Sequence, residues 1–444
     1  MSPPFDLRGA NALVVGLGRS GRAAARLLAS QGARVTAVDE GRPDVADLGS
    51  VVAQLQLGAS GFDASGRDLV VVSPGVPLAH PDLAAAIARG APVVAEVELA
   101  SWFLPQPLIG ITGTNGKSTT TALCGEMLKA ASLRTFVGGN LGTPLCEAVG
   151  GAWDAIVVEL SSFQLEGIRS FHARVGAFLN LTPDHLDRYA SLDAYAAAKA
   201  RLFENQRVDD VAVLNAADPA SARMAQAGKG RRWYFGPVAR PPPSARPADG
   251  GFVVDFPPAR SERYLLRNRA LRGSHNLENA MAAALCARAL DVPADAVQRA
   301  LDAFAGLPHR LELIRELRGV EYVNDSKATN VDSAAVALRA VAGPLWWIAG
   351  GRGKGASYAP LRPLLAGRTR GIVLIGEDAP KLQRELAGVA PMVLADTLEA
   401  ALRTTAEQAR AGETVLLSPA CASYDQFRNY EERGDAFRRL VKAL

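Results

Sequence analysis

The sequence predicts an α/β protein built from three domains that contain parallel sheets. Short runs rich in valine, isoleucine and leucine alternate with alanine- and leucine-rich helical stretches, a pattern typical of βαβ units. The chain has 444 residues, whereas a single hydrophobic core stops growing near about 250–300 residues. Because the alternation falls into three blocks, we predict domains at residues 1–96, 97–306 and 307–444.

Composition and charge exclude several classes of protein. The formal net charge of +4 is too dilute over 444 residues to indicate a nucleic-acid partner. The N-terminus lacks the basic and apolar segments of a leader, and no uninterrupted apolar stretch reaches about 18 residues, so no membrane span is predicted. The four cysteines form no CxxC pair, which favours a reducing, cytoplasmic location without disulfide or zinc sites.

The first block has the pattern of a Rossmann-like domain. GLGRSG at residues 16–21 separates a predicted strand from a predicted helix, and Asp39 ends the next strand, 18 residues after Gly21. This spacing matches the dinucleotide-binding fingerprint. The turn Ser73-Pro74-Gly75 follows another strand, at the edge where such sheets bind ligands. NAD, a UDP group and a purely structural turn all remain open at this point. Strands are predicted at 12–15, 34–38, 68–72 and 93–95.

The second block carries the sharpest local signal, GTNGKST at residues 113–119. A predicted strand enters this loop and a predicted helix leaves it, so backbone N–H groups would point at phosphate oxygens at a helix N-terminus. Lys117 would balance β- and γ-phosphate charge, and Ser118 would reach Mg²⁺. Ile111 occupies the first glycine position of the usual spacing. We therefore predict a variant P-loop in a P-loop ATPase-type domain with a parallel sheet.

Further polar residues follow the strands of the second block. Glu159 ends a predicted strand, which is where a carboxylate would hold a hard cation beside a P-loop. His185 lies in a polar run after the next strand, and we interpret it as a metal- or phosphate-binding residue. Spacing alone predicts Lys199 to be a solvated helical lysine. The proline- and arginine-rich stretch 237–251 is predicted to be an exposed loop. Strands are predicted at 108–112, 155–159, 175–180 and 211–215, and a helix at 276–289.

The third block is predicted to be a second Rossmann-like domain, with strands at 321–324, 345–349, 371–375 and 414–417. Across the second and third blocks, eight segments together resemble the Mur ligase family, and their order and separations match as well. The segments SSFQLE, NDSKATN and SPACASYDQF resemble the branch that adds D-glutamate. The eight segments are GTNGKST at 113–119, GGNLGTP at 138–144, ELSSFQLE at 159–166, LTPDHLDRY at 181–189, HNLENA at 275–280, GLPHRLE at 306–312, NDSKATN at 324–330 and SPACASYDQF at 418–427.

The resemblance implies an ATP- and Mg²⁺-dependent ligase of peptidoglycan precursor synthesis. ATP would phosphorylate the carboxylate of UDP-N-acetylmuramoyl-L-alanine, and the amine of D-glutamate would displace phosphate from the acyl phosphate. The predicted protein is a monomer whose partners are small molecules. The resemblance implies that Lys117, His185 and Lys199 are catalytic and that Lys199 is carbamylated. The implied ATP residues are Gly113, Thr114, Asn115, Gly116, Lys117, Ser118, Thr119, Asn279, Arg310 and Asp325. The implied metal ligands are Ser118, Glu159, His185 and carbamylated Lys199. The implied UDP-substrate residues are Arg19, Ser20, Asp39, Ser73, Pro74, Gly75, Asn140 and Ser161. The implied glutamate residues are Lys327, Thr329, Lys354, Ser423 and Tyr430.

Some positions depart from the family pattern. Arg352 stands where many relatives have aspartate, Tyr430 replaces a phenylalanine, and Glu40-Gly41 differs from the usual residues after the uridine-site aspartate. These departures keep a neighbouring amino-acid specificity open. An NAD-dependent oxidoreductase and a UDP-sugar-binding regulator are further alternatives, although an oxidoreductase leaves the loop at 113–119 unexplained.

Overall fold

The computed structural model describes residues 3–58, 61–185 and 188–444. The chain forms two compact units. The first consists of Met1–Arg267 and His275–Ala303, and the second of Asn268–Ser274 and Phe304–Leu444. The first unit contains two sheets and the second contains one.

The strands and helices follow the predicted alternation. The strands are β1 (Asn11–Val15), β2 (Arg34–Asp39), β3 (Gln54–Leu57), β4 (Leu69–Val72), β5 (Val93–Ala95), β6 (Leu108–Thr112), β7 (Thr135–Gly139), β8 (Ala155–Glu159), β9 (Val175–Phe178), β10 (Val211–Asn215), β11 (Arg231–Phe235), β12 (Ser244–Ala248), β13 (Gly251–Phe256), β14 (Arg260–Leu265), β15 (Glu312–Leu317), β16 (Val320–Asn324), β17 (Leu345–Gly350), β18 (Thr369–Ile375), β19 (Met392–Leu394) and β20 (Thr414–Leu417). The α-helices are α1 (Arg19–Ser30), α2 (Pro81–Ala88), α3 (Glu96–Ser101), α4 (Lys117–Ala130), α5 (Ser162–Glu166), α6 (Leu192–Ala200), α7 (Ser221–Ala227), α8 (Ser274–Arg288), α9 (Ala294–Ala303), α10 (Val331–Ala340), α11 (Arg362–Leu365), α12 (Ala379–Glu385), α13 (Leu398–Gln408) and α14 (Tyr430–Ala443). Short 3₁₀ helices cover Ala46–Leu48, Leu145–Ala148, Arg201–Phe203, Arg269–Leu271 and Ala359–Leu361.

The first sheet of the first unit is five-stranded, in the order β3-β2-β1-β4-β5. Its strand pairs are all parallel. Strand β1 is central because its valine- and leucine-rich run is buried on both faces. The connection reverses direction between β1 and β4, which places a crevice at the carboxyl ends of these strands. This is the predicted Rossmann-like arrangement.

The second sheet of the first unit has nine strands, in the order β14-β13-β12-β11-β10-β9-β6-β8-β7. The strands from β7 to β12 pair in parallel, and β13 and β14 add an antiparallel hairpin. Strand β6, which leads into the glycine-rich loop, lies between β8 and β9. The loop therefore opens at the carboxyl ends of three adjacent buried strands.

The prediction of an exposed loop at 237–251 is wrong in part, because β12 lies within this stretch. Strand β12 pairs with β11 only through Ser244 and Ala245, while its other edge pairs with β13 along its whole length. Pro247 lies beyond the end of the β11 pairing, where the strand has no neighbour in the ladder on that side. A proline, which has no N–H to donate, is tolerated at such a position.

The sheet of the second unit has six strands, in the order β15-β16-β20-β17-β18-β19. Only the edge strand β15 pairs antiparallel among these described strands. Alternate residues of β17 face opposite cores, with Trp347 in one apolar cluster and Trp346 in the other.

The three-domain α/β fold class is confirmed, whereas the borders near 96 and 306 stay predictions. Of the helices in the described parts of the chain, none is both long and apolar enough to cross a membrane.

Candidate active site

The loop at 113–119 adopts the geometry of a phosphate-binding loop. Gly113 and Gly116 have φ angles of +151° and +86°, which side-chain-bearing residues rarely adopt. A Cβ added at Gly116 would overlap Oδ1 of Asn279, so glycine also permits a close approach there. Lys117 Nζ donates to the carbonyl oxygens of Gly113 at 3.0 Å and Thr114 at 2.7 Å. The lysine thus folds over the loop at the positive end of α4.

The segment after β9 holds this loop from the other side. Asn180 Oδ1 accepts from Asn115 N at 2.8 Å, and the Asn180 carbonyl accepts from Thr114 N at 2.9 Å. Thr182 N donates to Thr114 Oγ1 at 3.1 Å. On the helical side, Thr120 Oγ1 donates to Asn279 Oδ1 at 3.3 Å. The structure therefore brings the predicted ATP residues 113–119 and Asn279 together, with Ser118 and Thr119 buried.

Glu159 lies on β8 beside the end of β6, and its side chain is buried. Its Oε1 accepts from Asn140 Nδ2 at 2.6 Å. Its Oε2 is buried without a hydrogen-bond partner among the described residues. Ser161 follows two residues later and caps α5 by accepting from Gln164 N at 3.2 Å. An orphaned carboxylate oxygen beside a phosphate loop suits a hard cation.

The oxygen atoms near the loop are of the type that Mg²⁺ requires. Among the described residues, no three or more histidine, cysteine, aspartate or glutamate side chains are arranged so that they could hold a metal ion together. Mg²⁺ is normally held by one or two carboxylates together with substrate phosphates and waters. The Ser118 hydroxyl and the free Glu159 oxygen are donors of this hard, oxygen type. The residues present therefore fit Mg²⁺.

Lys199 is buried, so its prediction as a solvated lysine is wrong. Its side chain is 1% exposed, and Nζ donates to the Gly113 carbonyl at 2.9 Å. Nζ also lies 4.2 Å from the centre of the Tyr195 ring. Burial, together with the nearby Lys117 charge, lowers the pKa of Lys199 to about 6, although Asp184 opposes the shift. Helix α6 carries this amine underneath the loop, where the lowered pKa favours its neutral form.

His185 lies at the end of the described stretch 61–185, with 43% of its side chain exposed. Its backbone φ of +55° is unusual for a residue other than glycine. The centre of its ring lies 4.8 Å from the centre of the Phe163 ring and 6.0 Å from that of the Tyr195 ring. His185 therefore contacts the same Tyr195 ring as Lys199, so the structure brings these two predicted catalytic residues to one aromatic ring.

A cavity of about 420 Å³ lies at the carboxyl ends of β1, β2 and β4. Asp39 Oδ2 accepts from Leu17 N at 2.6 Å, which ties the end of β2 to the glycine-rich turn. Ser73 Oγ donates to the Gly16 carbonyl at 2.7 Å. Six predicted UDP-substrate residues line the cavity, namely Arg19, Ser20, Asp39, Ser73, Pro74 and Gly75.

Gly21 makes the tightest approach in this turn. A Cβ at this position would overlap the Gly16 carbonyl oxygen and lie 2.8 Å from Ser73 Oγ. We expect Gly21→Ala to lower the free energy of unfolding by about 1–3 kcal/mol, the range for overpacking a tight site. Urea unfolding followed by circular dichroism measures this change. Gly18→Ala is the matched control, because a Cβ there meets no atom within 4 Å. Equal stabilities of the two variants would contradict the prediction.

Sequence reasoning missed two side chains that line this cavity and an arginine that contacts its wall. Phe62 and His80 line it with their rings stacked at 5.0 Å, and neither belongs to a recognised motif. Arg188, within the segment LTPDHLDRY, donates to the Pro74 carbonyl at 3.0 Å and lies 4.0 Å over the Phe163 ring. The spacing of that motif gave no sign that its arginine would contact the first sheet's turn.

In the second unit, Asp325 is buried at the end of β16. It accepts from Ser418 Oγ at 2.8 Å and from Leu311 N at 3.2 Å. Burial raises the pKa of Asp325 to about 7, against the opposing effects of the Ser418 hydrogen bond and the Arg310 charge. Arg310 is half-buried, and its Nε has no hydrogen-bond partner among the described residues. These two predicted ATP residues therefore lie close enough to interact electrostatically.

The predicted glutamate residues lie in three loops of the second unit and, for Tyr430, at the first residue of α14. Lys327 Nζ lies 5.9 Å over the Tyr430 ring, so the structure brings this pair together. Ser423 is buried, Thr329 is half-buried and Lys354 is exposed. Arg352, the departure from the family pattern, pairs with Glu377 at 2.8 Å, with both side chains about half exposed. Such an exposed pair contributes little to stability.

Comparison with known proteins assigns the three parts of this chain to one family. The family model for the "Mur ligase MurD-like, N-terminal domain" matches residues 10–95, that for the "Mur ligase middle domain" matches 111–287, and that for the "Mur ligase, glutamate ligase domain" matches 309–421. The chain is 58% identical to a UDP-N-acetylmuramoylalanine--D-glutamate ligase of Anaeromyxobacter dehalogenans, over 98% of each chain. It is 54% identical to the enzyme of that name from Myxococcus xanthus, over 99% of each chain.

Solved structures have the same fold. The UDP-N-acetylmuramate-alanine ligase MurC of Thermotoga maritima superposes with a TM-score of 0.61 at 18% identity, covering 98% of this chain and 99% of that one. MurF of Acinetobacter baumannii gives a TM-score of 0.62 at 18% identity, covering 100% and 93%. The predicted resemblance is therefore confirmed across all three domains, and the chain belongs to the Mur ligase family.

Proposed function

We propose that the protein is an ATP-dependent ligase that joins D-glutamate to UDP-N-acetylmuramoyl-L-alanine. The observation that carries this proposal is the near-full-length identity of 58% to a relative of that name. The proposal is also supported by the phosphate loop, by the cavity at the nucleotide-type turn of the first sheet, and by a third domain with buried polar loops. An oxidoreductase would leave the phosphate loop without a role.

The proposed reaction has two steps. A carboxylate oxygen of UDP-N-acetylmuramoyl-L-alanine attacks the γ-phosphorus of ATP, and ADP leaves. The amine of D-glutamate then attacks the acyl carbon, a tetrahedral intermediate collapses, and phosphate leaves as the amine loses a proton. The phosphorylation is needed because a free carboxylate repels a nucleophile and has no leaving group.

Residues of the first unit would act on the phosphoryl group. The loop N–H groups and Lys117 face the charge that develops during transfer, which is the main electrostatic contribution in such reactions. Asn279 supports the loop at Gly116. We assign the UDP group to the cavity beside Asp39, with Asn140 and Ser161 near the reacting end of the substrate.

Mg²⁺ is part of this proposal. The Ser118 hydroxyl, the Glu159 carboxylate, His185 and carbamylated Lys199 would hold it, and bound Mg²⁺ would neutralise charge on the transferring phosphoryl group. Carbamylation converts the Lys199 amine into an oxygen donor, and burial of that amine supports the assignment.

The proposal also assigns ligand-binding residues within the second unit. Arg310 and Asp325 would bind ATP, and a half-buried guanidinium beside a buried carboxylate suits a phosphate and a ribose hydroxyl. The amino acid would bind among Lys327, Thr329, Lys354, Ser423 and Tyr430. We further propose a cytoplasmic monomer, and the four free, buried cysteines are consistent with a reducing compartment.

Phosphate release with UDP-N-acetylmuramoyl-L-alanine, ATP and Mg²⁺ tests the proposal. We expect release with D-glutamate and none above background with L-glutamate. The coupled product should gain one glutamyl residue by mass spectrometry. Phosphate release with another amino acid would leave the proposed mechanism intact but would contradict the specificity for D-glutamate. If no ADP formed with any amino acid, the protein would not be a ligase of this kind.

A further inference from the structure

Arg433 on α14 is an arginine with an unusual environment. Its side chain is 1% exposed, which is rare for a charged residue. Nε donates to Ser326 Oγ at 3.0 Å, and Nη2 donates to the carbonyl oxygens of Ser326 at 2.9 Å and Cys421 at 3.1 Å. Nη1 lies 3.4 Å from the Ala422 carbonyl. The planar fork of the guanidinium thus joins two loops that are distant in sequence.

Two of these acceptor residues, Ser326 and Ala422, are adjacent in sequence to proposed amino-acid contacts. Ser326 precedes Lys327, and Ala422 precedes Ser423. The third loop, which leads to Lys354, also meets the guanidinium, because a Cβ at Gly351 would lie 3.2 Å from Arg433 Nη1. Arg433 therefore lies at the point where three loops of the second unit converge, although it belongs to none of them.

The charge of Arg433 is not matched by a contacting carboxylate. Among the described residues, its hydrogen-bond acceptors are neutral hydroxyl and carbonyl oxygens. Asp425 and Asp325 act on it through space rather than by contact. Burial lowers the pKa of Arg433 to about 10, so the group stays cationic near pH 7. A buried cation without a contacting anion is costly to stability, which makes it a candidate for a functional role.

We propose that Arg433 is a positioning residue of the amino-acid pocket, which fixes the three loops and adds a buried positive charge beneath a dicarboxylate. This inference rests on the proposed function, because it concerns how that function binds glutamate. A positive potential favours an amino acid that carries two carboxylates. The fork geometry explains why lysine, a point-charge donor, would not replace it fully.

The experiment compares Michaelis constants for the two substrates that would bind different units. For Arg433→Met we expect the KM for D-glutamate to rise at least about tenfold, the effect of losing one partly screened charge interaction. The KM for UDP-N-acetylmuramoyl-L-alanine should stay within about twofold, because no transition-state or ground-state contact to that substrate changes. Arg433→Lys, which keeps the charge but loses the fork, should give an intermediate KM for D-glutamate.

Arg368→Lys is the matched control. Arg368 also donates to backbone carbonyl oxygens, those of Leu338 and Val341, but it lies away from the three loops. It should lower thermal stability without changing the KM for D-glutamate. A purely structural Arg433 would behave in the same way as Arg368. The proposal would therefore be overturned if Arg433→Met and Arg368→Lys had the same KM for D-glutamate.

Ser326→Ala keeps the test decisive if Arg433→Met does not fold. It removes one acceptor of the guanidinium and leaves the charge, so we expect a smaller rise of about threefold in the KM for D-glutamate, as for a partial loss of one hydrogen bond. An unchanged KM would count against the proposal. Wild-type protein is assayed in parallel: an inactive wild type would refute the proposed function, whereas an active wild type with unaffected variants would refute only the role of Arg433.

Discussion

Replacing Lys117 with alanine is expected to lower phosphate release about 10³-fold, because an electrostatic contact to the transferring phosphoryl group is lost. Lys117 Nζ lies over the loop on the carbonyl oxygens of Gly113 and Thr114. This position is where a bound triphosphate would bring its β- and γ-oxygens. The measurement is single-turnover and steady-state phosphate release with D-glutamate.

Lys129→Ala is the control for this substitution. Lys129 lies on the same helix, α4, but it is exposed and pairs with Glu126 at 2.9 Å. It should leave the rate unchanged, because such surface pairs contribute little. Retention of more than about a tenth of the wild-type rate by Lys117→Ala would be incompatible with a role in phosphoryl transfer.

Replacing Lys199 with alanine should be nearly as severe, with a loss of about 10²–10³-fold, the effect of removing one electrostatic contributor from a closed site. In the proposed modification, the neutral amine would react with CO₂ to form an N–C bond and release one proton, which would yield an anionic carbamate. Because burial lowers the pKa of Lys199 to about 6, the reactive neutral form should increase as the pH rises through that value. Carbamylation and activity should therefore both fall as the pH decreases through 6.

Two measurements test the modification itself. Activity should fall in CO₂-depleted buffer and return on addition of bicarbonate, and ¹³C-labelled bicarbonate should give one carbamate NMR signal that Lys199→Ala lacks. Lys129→Ala should keep that signal, since its amine is exposed. If depletion and bicarbonate leave wild-type activity unaffected, the modification has no role, even if Lys199→Ala is inactive.

The fold was predictable because its signals are local. Buried parallel strands appear as short continuous apolar runs, and each predicted strand is present with its ends within two residues. The turns at 16–21 and 113–116 were predictable for a similar reason, since glycines mark backbone conformations that other residues avoid. Strand β12 was not predicted, because it contains Pro247. A proline is tolerated there only because the β12 edge beside β11 is unpaired at that residue, which the local sequence does not show.

The site was less predictable, because it depends on tertiary packing. Nothing in the local sequence of α6 distinguishes Lys199 from a surface lysine, and its burial arises only when the helix packs beneath the phosphate loop. The contact of Asn140 with Glu159 joins two adjacent strand ends. Arg433 was missed entirely, since its partners lie about a hundred residues away or in another loop. Roles for these residues in catalysis stay proposals.

The environment of Lys199 also determines which reagents damage this protein. Exposed lysines have a pKa of about 10.4, so only a tiny fraction of each amine is neutral and nucleophilic at neutral pH. The lowered pKa of Lys199 makes a much larger fraction of its amine nucleophilic. Cyanate has nearly the shape of CO₂ and adds to the same neutral amine, but it leaves a permanent, uncharged urea. Aged urea solutions, which contain cyanate, should therefore inactivate the folded enzyme, because an irreversible neutral urea would take the place of the proposed reversible carbamate.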